Sequence, residues 1–117
     1  MYVTPEARIA DYESKGWWRG ITVDAQLKAT LANDHAEFAV IDPPNREALD
    51  GVSPERLSWD KFDERVDQLA ASFYQLGLRK DDRIVAQLPN TVDAVITLFA
   101  CARLGLILSP VVMQYRK

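Results

Sequence analysis

The residues that could do chemistry in this chain are few and scattered. The single histidine, His35, follows Asp34, and such a pair is more typical of a solvated helix end than of a catalytic dyad. The single cysteine, Cys101, lies between two alanines in an apolar run, where a thiol is usually an inert part of the core. Because there is no second histidine or cysteine, we expect no zinc site.

The glycines do not form a phosphate-binding loop. Such a loop needs closely spaced glycines at the start of a helix. The five glycines of this chain are Gly16, Gly20, Gly51, Gly77 and Gly105. The first two form a GxxxG spacing, but the residues around them are too polar for a membrane helix contact. We therefore expect no nucleotide-phosphate loop here.

Acidic side chains cluster on one predicted helix. They are Asp60, Asp63, Glu64 and Asp67. A charged helix face is most often exposed to solvent, so a metal site is the less favoured interpretation. The helix start at Asn90 could attract an anion through the helix dipole, but the predicted caps already use its amides. We assign no catalytic, cofactor-binding or metal-ligating residue to this chain.

The composition is that of a globular protein. Of the 117 residues, 48% are hydrophobic and 26% are charged, which argues against disorder. The net charge of -3 gives no reason to expect nucleic acid as a partner. No apolar run is long enough for a membrane helix, and the polar, acidic first residues do not resemble a secretory or transit signal. One cysteine excludes an internal disulfide, and we predict a cytoplasmic location.

The clearest pattern is an amphipathic helix after Ser58. Apolar residues recur on one face at the helical period, and they are Phe62, Val66, Leu69, Ala70, Phe73 and Leu76. Ser58 is placed to cap the first free amides, and Gly77 follows the last apolar position. The sequence predicts a helix that covers a core.

A βαβ unit follows this helix. The strand is predicted over 83–88 and is stopped by Pro89, which cannot donate to a ladder. Asn90 and Asp93 are predicted to cap the next helix as a capping box. That helix, Val92–Leu104, is apolar on nearly every side and should be buried on more than one side. After Gly105, the strand from 106 should lie parallel to the first, with a right-handed crossover.

The first part of the chain predicts supporting elements. Thr4-Pro5-Glu6 is typical of a helix start, with Thr4 as the cap, and Thr22 begins a second helix that frays at 33–35. Trp17 and Trp18 could stack on an aromatic ligand, although an anchor that pins the arm to the body is favoured. Residues 38–42 should pair antiparallel with Arg56–Leu57 across a loop at 43–55.

The order of these motifs resembles the adenylate-forming enzymes, the acyl- and aryl-CoA synthetases and adenylation domains. The motif residues are Leu57-Ser58-Trp59, Leu69-Ala70, Leu76-Gly77, Asp82-Arg83, Gln87-Leu88-Pro89-Asn90, Leu104-Gly105, Pro110 and Tyr115-Arg116. The arm at Gly16-Trp17-Trp18 is similar too. The Gln-Leu-Pro-Asn form with a closing Tyr-Arg is most similar to the branch that activates medium-chain, alicyclic or aryl acids as CoA thioesters.

Three positions depart from that family pattern. Lys61 stands where an acid would complete a capping box with the hydroxyl at position 58. Lys80-Asp81-Asp82 replaces a Pro-Gly-Asp turn, and Met113 replaces a second proline after Pro110. None of these residues bears on chemistry, so they indicate a divergent member.

The resemblance implies an α/β fold. The chain would hold N-terminal helices, a short β-hairpin and a βαβ unit, as part of the large N-terminal domain of an adenylate-forming enzyme. Within this single partial domain we expect a helical arm at 1–35, a hairpin with a long loop at 36–57, and a helix plus βαβ scaffold at 58–117.

The resemblance also implies an activity for a longer parent protein. That parent would be an AMP-forming acid–CoA ligase that uses ATP, CoA and Mg²⁺, and the ATP loop, ribose-binding acid and catalytic lysine of the family match no position here. We expect this chain to be an inactive N-terminal fragment, with no cofactor of its own, whose partner is the rest of the enzyme. Its exposed apolar surface could cause dimerisation or aggregation.

Two alternatives remain open. One is a free-standing, non-catalytic interaction module on the same scaffold. The other is an aryl-acid adenylating enzyme that feeds a carrier protein instead of CoA. The sequence does not distinguish them, and it does not identify the acid.

Overall fold

The computed structural model describes residues 3–33 and 37–115. Within these ranges the helices are α1 (Glu6–Ser14), α2 (Val23–Leu31), α3 (Arg46–Asp50), α4 (Trp59–Gln75) and α5 (Val92–Leu104). The strands are β1 (Val40–Ile41), β2 (Arg56–Leu57), β3 (Arg83–Ala86) and β4 (Ile107–Pro110), and a 3₁₀ turn follows at Met113–Tyr115. The mixed α/β class predicted from the sequence is confirmed.

Helix α5 lies at the centre of the described fold. It packs against α4, α2 and β4, so it has neighbours on several sides. Val92 and Ala100 are completely buried, and Ile96 and Cys101 are nearly so. Because apolar surface gains free energy wherever it leaves water, a helix in this position needs apolar residues around most of its circumference. The predicted burial on more than one side is confirmed.

Strands β3 and β4 are parallel neighbours on either side of α5 in the sequence, as predicted. Their register pairs Arg83 with Ile107 and Ala86 with Pro110. Strand β3 ends at Ala86 and not at 88. At this end of the sheet the Val111 amide, just after β4, donates to the Ala86 carbonyl at 2.8 Å. Beyond it the side chain of Gln87, and not its backbone, donates to the Val112 carbonyl at 3.0 Å.

The predicted antiparallel hairpin is confirmed, although it is short. Strands β1 and β2 pair Val40 with Leu57 and Ile41 with Arg56. The segment 43–55, predicted as a loop throughout, contains the five-residue helix α3. That prediction was wrong: Arg46 pairs with Asp42 and Asp50, four residues to either side of it, and also with Asp93 on α5, and these contacts hold a helical turn within the segment.

The helix caps predicted from the sequence are confirmed at two of four helices. The Ser58 hydroxyl accepts from the Lys61 amide at 3.4 Å, and the Thr22 hydroxyl accepts from the Ala25 amide at 3.1 Å. The cap predicted at Thr4 was wrong, since Pro5 occupies the N-cap position of α1 and no side chain caps that helix. The fourth site, at α5, belongs to the candidate site below.

The two adjacent tryptophans do not anchor the arm to the body. Trp17 is 68% exposed and Trp18 is 43% exposed. Their rings instead contact Tyr12 of the same arm, with ring centroids 5.6 and 5.4 Å apart. Helix α1 contributes no buried residue, so the anchor interpretation was wrong for the chain as described.

None of the described helices combines the length and the hydropathy needed to cross a membrane.

Candidate functional site

A buried carboxylate joins the hairpin to the start of α5. Asp42 follows β1, and its side chain is inaccessible to solvent. One of its oxygens accepts from the Val92 amide at 2.8 Å. The other accepts from Arg46 Nη1 at 2.6 Å and from the Glu55 amide at 3.0 Å. One side chain therefore ties together β1, α3, the segment before β2 and α5.

Charged residues continue outward from Asp42 in one network. Arg46 Nη2 also donates to Asp93 on α5. Arg65 on α4 donates to Glu55 at 2.5 Å and to the second oxygen of Asp93 at 2.9 Å. We call these five residues, Asp42, Arg46, Glu55, Arg65 and Asp93, the Arg46 centre.

The electrostatics of the Arg46 centre follow from its burial and hydrogen bonds. Burial alone would raise the pKa of Asp42, but donation from the Val92 amide, Arg46 and the Glu55 amide outweighs it. The pKa of Asp42 therefore lies below its ordinary value. The bond to Asp42, opposed by burial and reinforced by Asp93, raises the pKa of Arg46. Both groups are charged at neutral pH.

The predicted capping box at Asn90 and Asp93 was wrong. The N-cap position is Thr91, which makes no capping side-chain bond, and Asp93 binds Arg46 and Arg65 instead. The first amide of α5 bonds to Asp42, 50 residues away in the sequence. A carboxylate at this position also interacts favourably with the positive end of the helix dipole. The helix start that could attract an anion is therefore occupied by a carboxylate of the protein itself.

A second arginine joins three helices on the other end of α5. Arg103 Nε donates to Asp24 on α2 at 2.7 Å. Its Nη2 and Nη1 donate to Asp63 and Asp67 on α4, both at 2.6 Å. Burial would lower the pKa of Arg103, but its hydrogen bonds to the three carboxylates raise it. We call these four residues the Arg103 centre.

The acidic face of α4 is thus divided. Asp63 and Asp67 belong to the Arg103 centre, whereas Glu64 pairs with Lys61 at 2.6 Å on the surface. Within the ranges 3–33 and 37–115, no group of three His, Cys, Asp or Glu side chains could hold a metal ion. Asp63 and Asp67 bind the guanidinium of Arg103.

The remaining sequence candidates take no part in either centre. Cys101 is 1% exposed in α5, and burial raises the pKa of its thiol, as the inert-core interpretation requires. His35 and Asp34 lie outside the described residues, so their predicted role as a solvated helix end stays a prediction.

The start of α5 is not a free anion-binding site. The Val92 amide, which could receive a phosphate oxygen at the start of α5, is already bonded to Asp42. The glycines are dispersed, and Gly51, Gly77 and Gly105 each lie at a helix end with positive φ. Both arginine centres hold secondary structure together.

The chain belongs to the family of AMP-binding enzymes, which are adenylate-forming ligases. This family, described as "AMP-binding enzyme", matches residues 37–117. The match begins at the hairpin and includes all of the βαβ unit, so the family resemblance inferred from the motifs is confirmed.

Three known proteins illustrate the similarity. The salicyl-AMP ligase / salicyl-S-ArCP synthetase of Mycobacterium tuberculosis is 35% identical over 103 residues, covering 88% of this chain and 17% of that protein. The 2-hydroxy-7-methoxy-5-methyl-1-naphthoate–CoA ligase of Streptomyces carzinostaticus is 34% identical, covering 96% and 18%. The apo structure of MbtA from Mycobacterium smegmatis superposes with a TM-score of 0.76 at 28% identity, covering 99% and 20%. This chain thus spans about a fifth of the length of these relatives.

Sequence reasoning missed the residues that organise both centres. Asp42 and Arg46 were assigned to the end of a strand and to a loop, and no role was predicted for Arg103. One signal was available: Arg103 is the only charged residue after Asp93 in an otherwise apolar helix. A buried position with a charged residue requires partners of opposite charge. Nothing local indicates that Asp42 would reach residue 92.

Proposed function

We propose that this chain is the N-terminal scaffold of an AMP-forming ligase that activates an aromatic carboxylic acid. The observation that carries the proposal is the family match over 37–117, together with relatives whose names state salicyl and hydroxynaphthoate substrates. Such a ligase would join the carboxylate to ATP with release of pyrophosphate, then pass the acyl group to a thiol with release of AMP. Mg²⁺ would accompany ATP.

The role of this segment in the proposed ligase is structural. Its two arginine centres fix α5 between the hairpin, α2 and α4, and we assign none of its residues to either chemical step. A rigid scaffold of this kind holds catalytic groups supplied by other parts of a chain in a fixed geometry. The location in the cytoplasm is part of the same proposal.

The acceptor of the acyl group is left to experiment. One relative is named as a salicyl-S-ArCP synthetase and another as a CoA ligase. Both acceptors present a thiol to an acyl-adenylate. The second name supports a CoA acceptor, and neither name supports a medium-chain or alicyclic acid.

The first experiment determines the mass of the native protein in its source cells, detected with an antibody to this segment. A band several times larger than 13.2 kDa is the expected result. A single band at 13.2 kDa would instead contradict the proposal and favour the non-catalytic interaction module.

The second experiment measures acid-dependent ATP–pyrophosphate exchange by the full-length polypeptide. We expect exchange with salicylate or another aromatic acid, and much weaker exchange with medium-chain aliphatic acids. Adding CoA or a carrier protein then identifies the acceptor by the thioester formed. The 117-residue chain alone is the control and should show no exchange. Exchange by this short chain would overturn the scaffold role.

A further inference from the structure

Residues 3–33 form an N-terminal arm that carries α1 and α2 and is held to the body of the fold, residues 37–115, by few buried side chains. Of the described residues in these two helices, only Leu27 is buried. Helix α5, by comparison, buries five residues. Because buried apolar surface supplies most of the free energy that keeps an element in place, the arm is attached less firmly than α4 and α5.

The seam between the arm and the body is also incompletely packed. An open cavity of about 250 Å³ lies there, and its lining includes Leu27 and Thr30 of α2 and Trp59 and Phe99 of the body. Side chains around such a space lack the apolar neighbours that a close-packed interior would give them. The buried Leu27 therefore borders a gap on one side.

The ion pair between the arm and the body can separate at low cost. Asp24 of α2 accepts from Arg103 Nε at 2.7 Å, and its side chain is 19% exposed. The Arg103 guanidinium also donates to Asp63 and Asp67 of α4, both at 2.6 Å. When the arm moves away, Arg103 keeps two counter-ions and Asp24 becomes hydrated. The large penalty of leaving a buried charge unpaired is thus avoided.

We propose that the arm opens and closes as a unit on a folded body, and that the Asp24–Arg103 ion pair is the contact that releases it. The family match covers residues 37–117, so the body contains the matched fold without the arm. Opening uncovers Trp59 and Phe99 and leaves the bonds from Arg103 to α4 in place. The arm is in this way a strap over one side of the apolar core, and this inference does not depend on the proposed function.

The test is native-state hydrogen exchange, measured by peptide mass spectrometry on the polypeptide as its source cells make it. In low urea, amides of α2 should exchange about 100-fold faster than those of α5, because opening of the arm exposes α2 while the body stays folded. Asp24→Asn should speed the exchange of α2 by about fivefold and leave that of α5 unchanged. Thr30→Ile adds a methyl group at the cavity and should slow the exchange of α2 by about twofold.

Asp11→Asn is the matched control. Asp11 pairs with Lys15 at 2.7 Å on the surface of α1, so the same change of side chain removes an ion pair that lies within the arm. The exchange of α2 in this variant should match that of the unsubstituted protein. The comparison of α2 with α5 in the unsubstituted protein decides the question even if a variant fails to fold.

Two results would overturn the inference. One is exchange of α2 and α5 at the same rates with the same urea dependence, because the arm would then open only when the whole protein unfolds. The other is an effect of Asp24→Asn on α2 that is absent, shared by α5 or reproduced by Asp11→Asn, because the pair with Arg103 would then not be the releasing contact. Since hydrogen exchange does not depend on catalysis, a separately opening α2 in a protein without pyrophosphate exchange would reject the proposed function and leave this inference intact.

Discussion

The two arginine centres use the same chemistry at different depths. In the Arg46 centre, the Asp42 side chain is inaccessible to solvent and that of Arg46 is 4% exposed. In the Arg103 centre, the arginine is 9% exposed, but its partners range from 19% exposure at Asp24 to 63% at Asp67. The Asp42–Arg46 pair lies in the interior, although Glu55, Arg65 and Asp93 around it are 34–36% exposed, and the Arg103 centre lies where the surface meets the core.

This difference in depth decides what each centre contributes. Removing one partner of a buried pair leaves the other charge without water or a counter-ion, which is costly. Removing a partner near the surface allows the remaining carboxylates to hydrate, so the cost is smaller. We therefore expect stability to depend mainly on the Arg46 centre.

The largest effect should come from Asp42→Ala. The substitution leaves Arg46 buried without its main partner and removes the acceptor of the Val92 amide, so the free energy of unfolding should fall by about 3–5 kcal/mol. Urea denaturation followed by circular dichroism measures this change. Asp50→Ala is the control, because its carboxylate is 3.4 Å from Arg46 Nε and partly exposed, and its loss should cost about 1 kcal/mol or less. Equal losses of unfolding free energy in the two variants would contradict the conclusion that Asp42 matters more because it is more deeply buried than Asp50.

The same centre should make stability depend on acid. The folded-state pKa of Asp42 lies below its ordinary value, so ionised Asp42 stabilises the fold above the unfolded-state pKa. This stabilisation is lost as the pH falls through the lower, folded-state pKa. The difference in unfolding free energy between the wild type and Asp42→Asn should therefore shrink as the pH falls from about 5 to about 2. A difference that stays constant over this range would show that Asp42 does not titrate as described.

A smaller effect is expected for Arg103→Met. Methionine preserves much of the apolar contact of the side chain but removes the ion pairs to α2 and α4, so the free energy of unfolding should fall by about 1–2 kcal/mol. Because the partners are accessible to ions, this loss should diminish at high salt, whereas the loss in Asp42→Ala should not. Denaturation at low and high NaCl concentration measures both variants, and the same salt dependence in both would remove the distinction between the centres.

The smallest effect is expected for the surface pair of Lys61 and Glu64. Both side chains are at least half exposed, and the ammonium lowers the pKa of Glu64 without enclosing it. Lys61→Ala should leave the midpoint of urea denaturation unchanged within error, because an exposed pair gains little over its separate hydration. A clear drop in the midpoint would show that the geometry of an ion pair affects the stability of this fold more than its burial does.

Much of the secondary structure could be predicted because its causes are local. The amphipathic repeat of α4, its cap at Ser58 and the left-handed residue at Gly105 each depend on neighbours within a few positions. The start of α5 was predicted incorrectly. Asn90 and Asp93 fit the local capping-box pattern, but the Val92 amide donates to Asp42, which is 50 residues away in the sequence. A distant carboxylate can replace a local cap whenever the tertiary structure brings it to the amide.

Trp17 and Trp18 were predicted to be buried, but both are exposed. Two adjacent indoles favoured burial because of their large apolar surface. Both indoles are exposed and contact Tyr12. Helix α1 has no buried residue through which this arm would pack against the rest of the fold.

The family, the order of the helices and strands other than α3, and the parallel pairing of β3 with β4 could all be predicted from the sequence. These follow from periodic apolar patterns and from motifs that act over a few residues. The roles of Asp42, Arg46 and Arg103, and the short helix α3 within the predicted loop, depend on the tertiary fold. Arg46 pairs with Asp42 only four positions away, but the contacts that fix α5 join Asp42 to residue 92, Arg46 to residue 93, and Arg103 to residues 24, 63 and 67. A charge acquires its function in a fold from the depth and the neighbours that packing gives it.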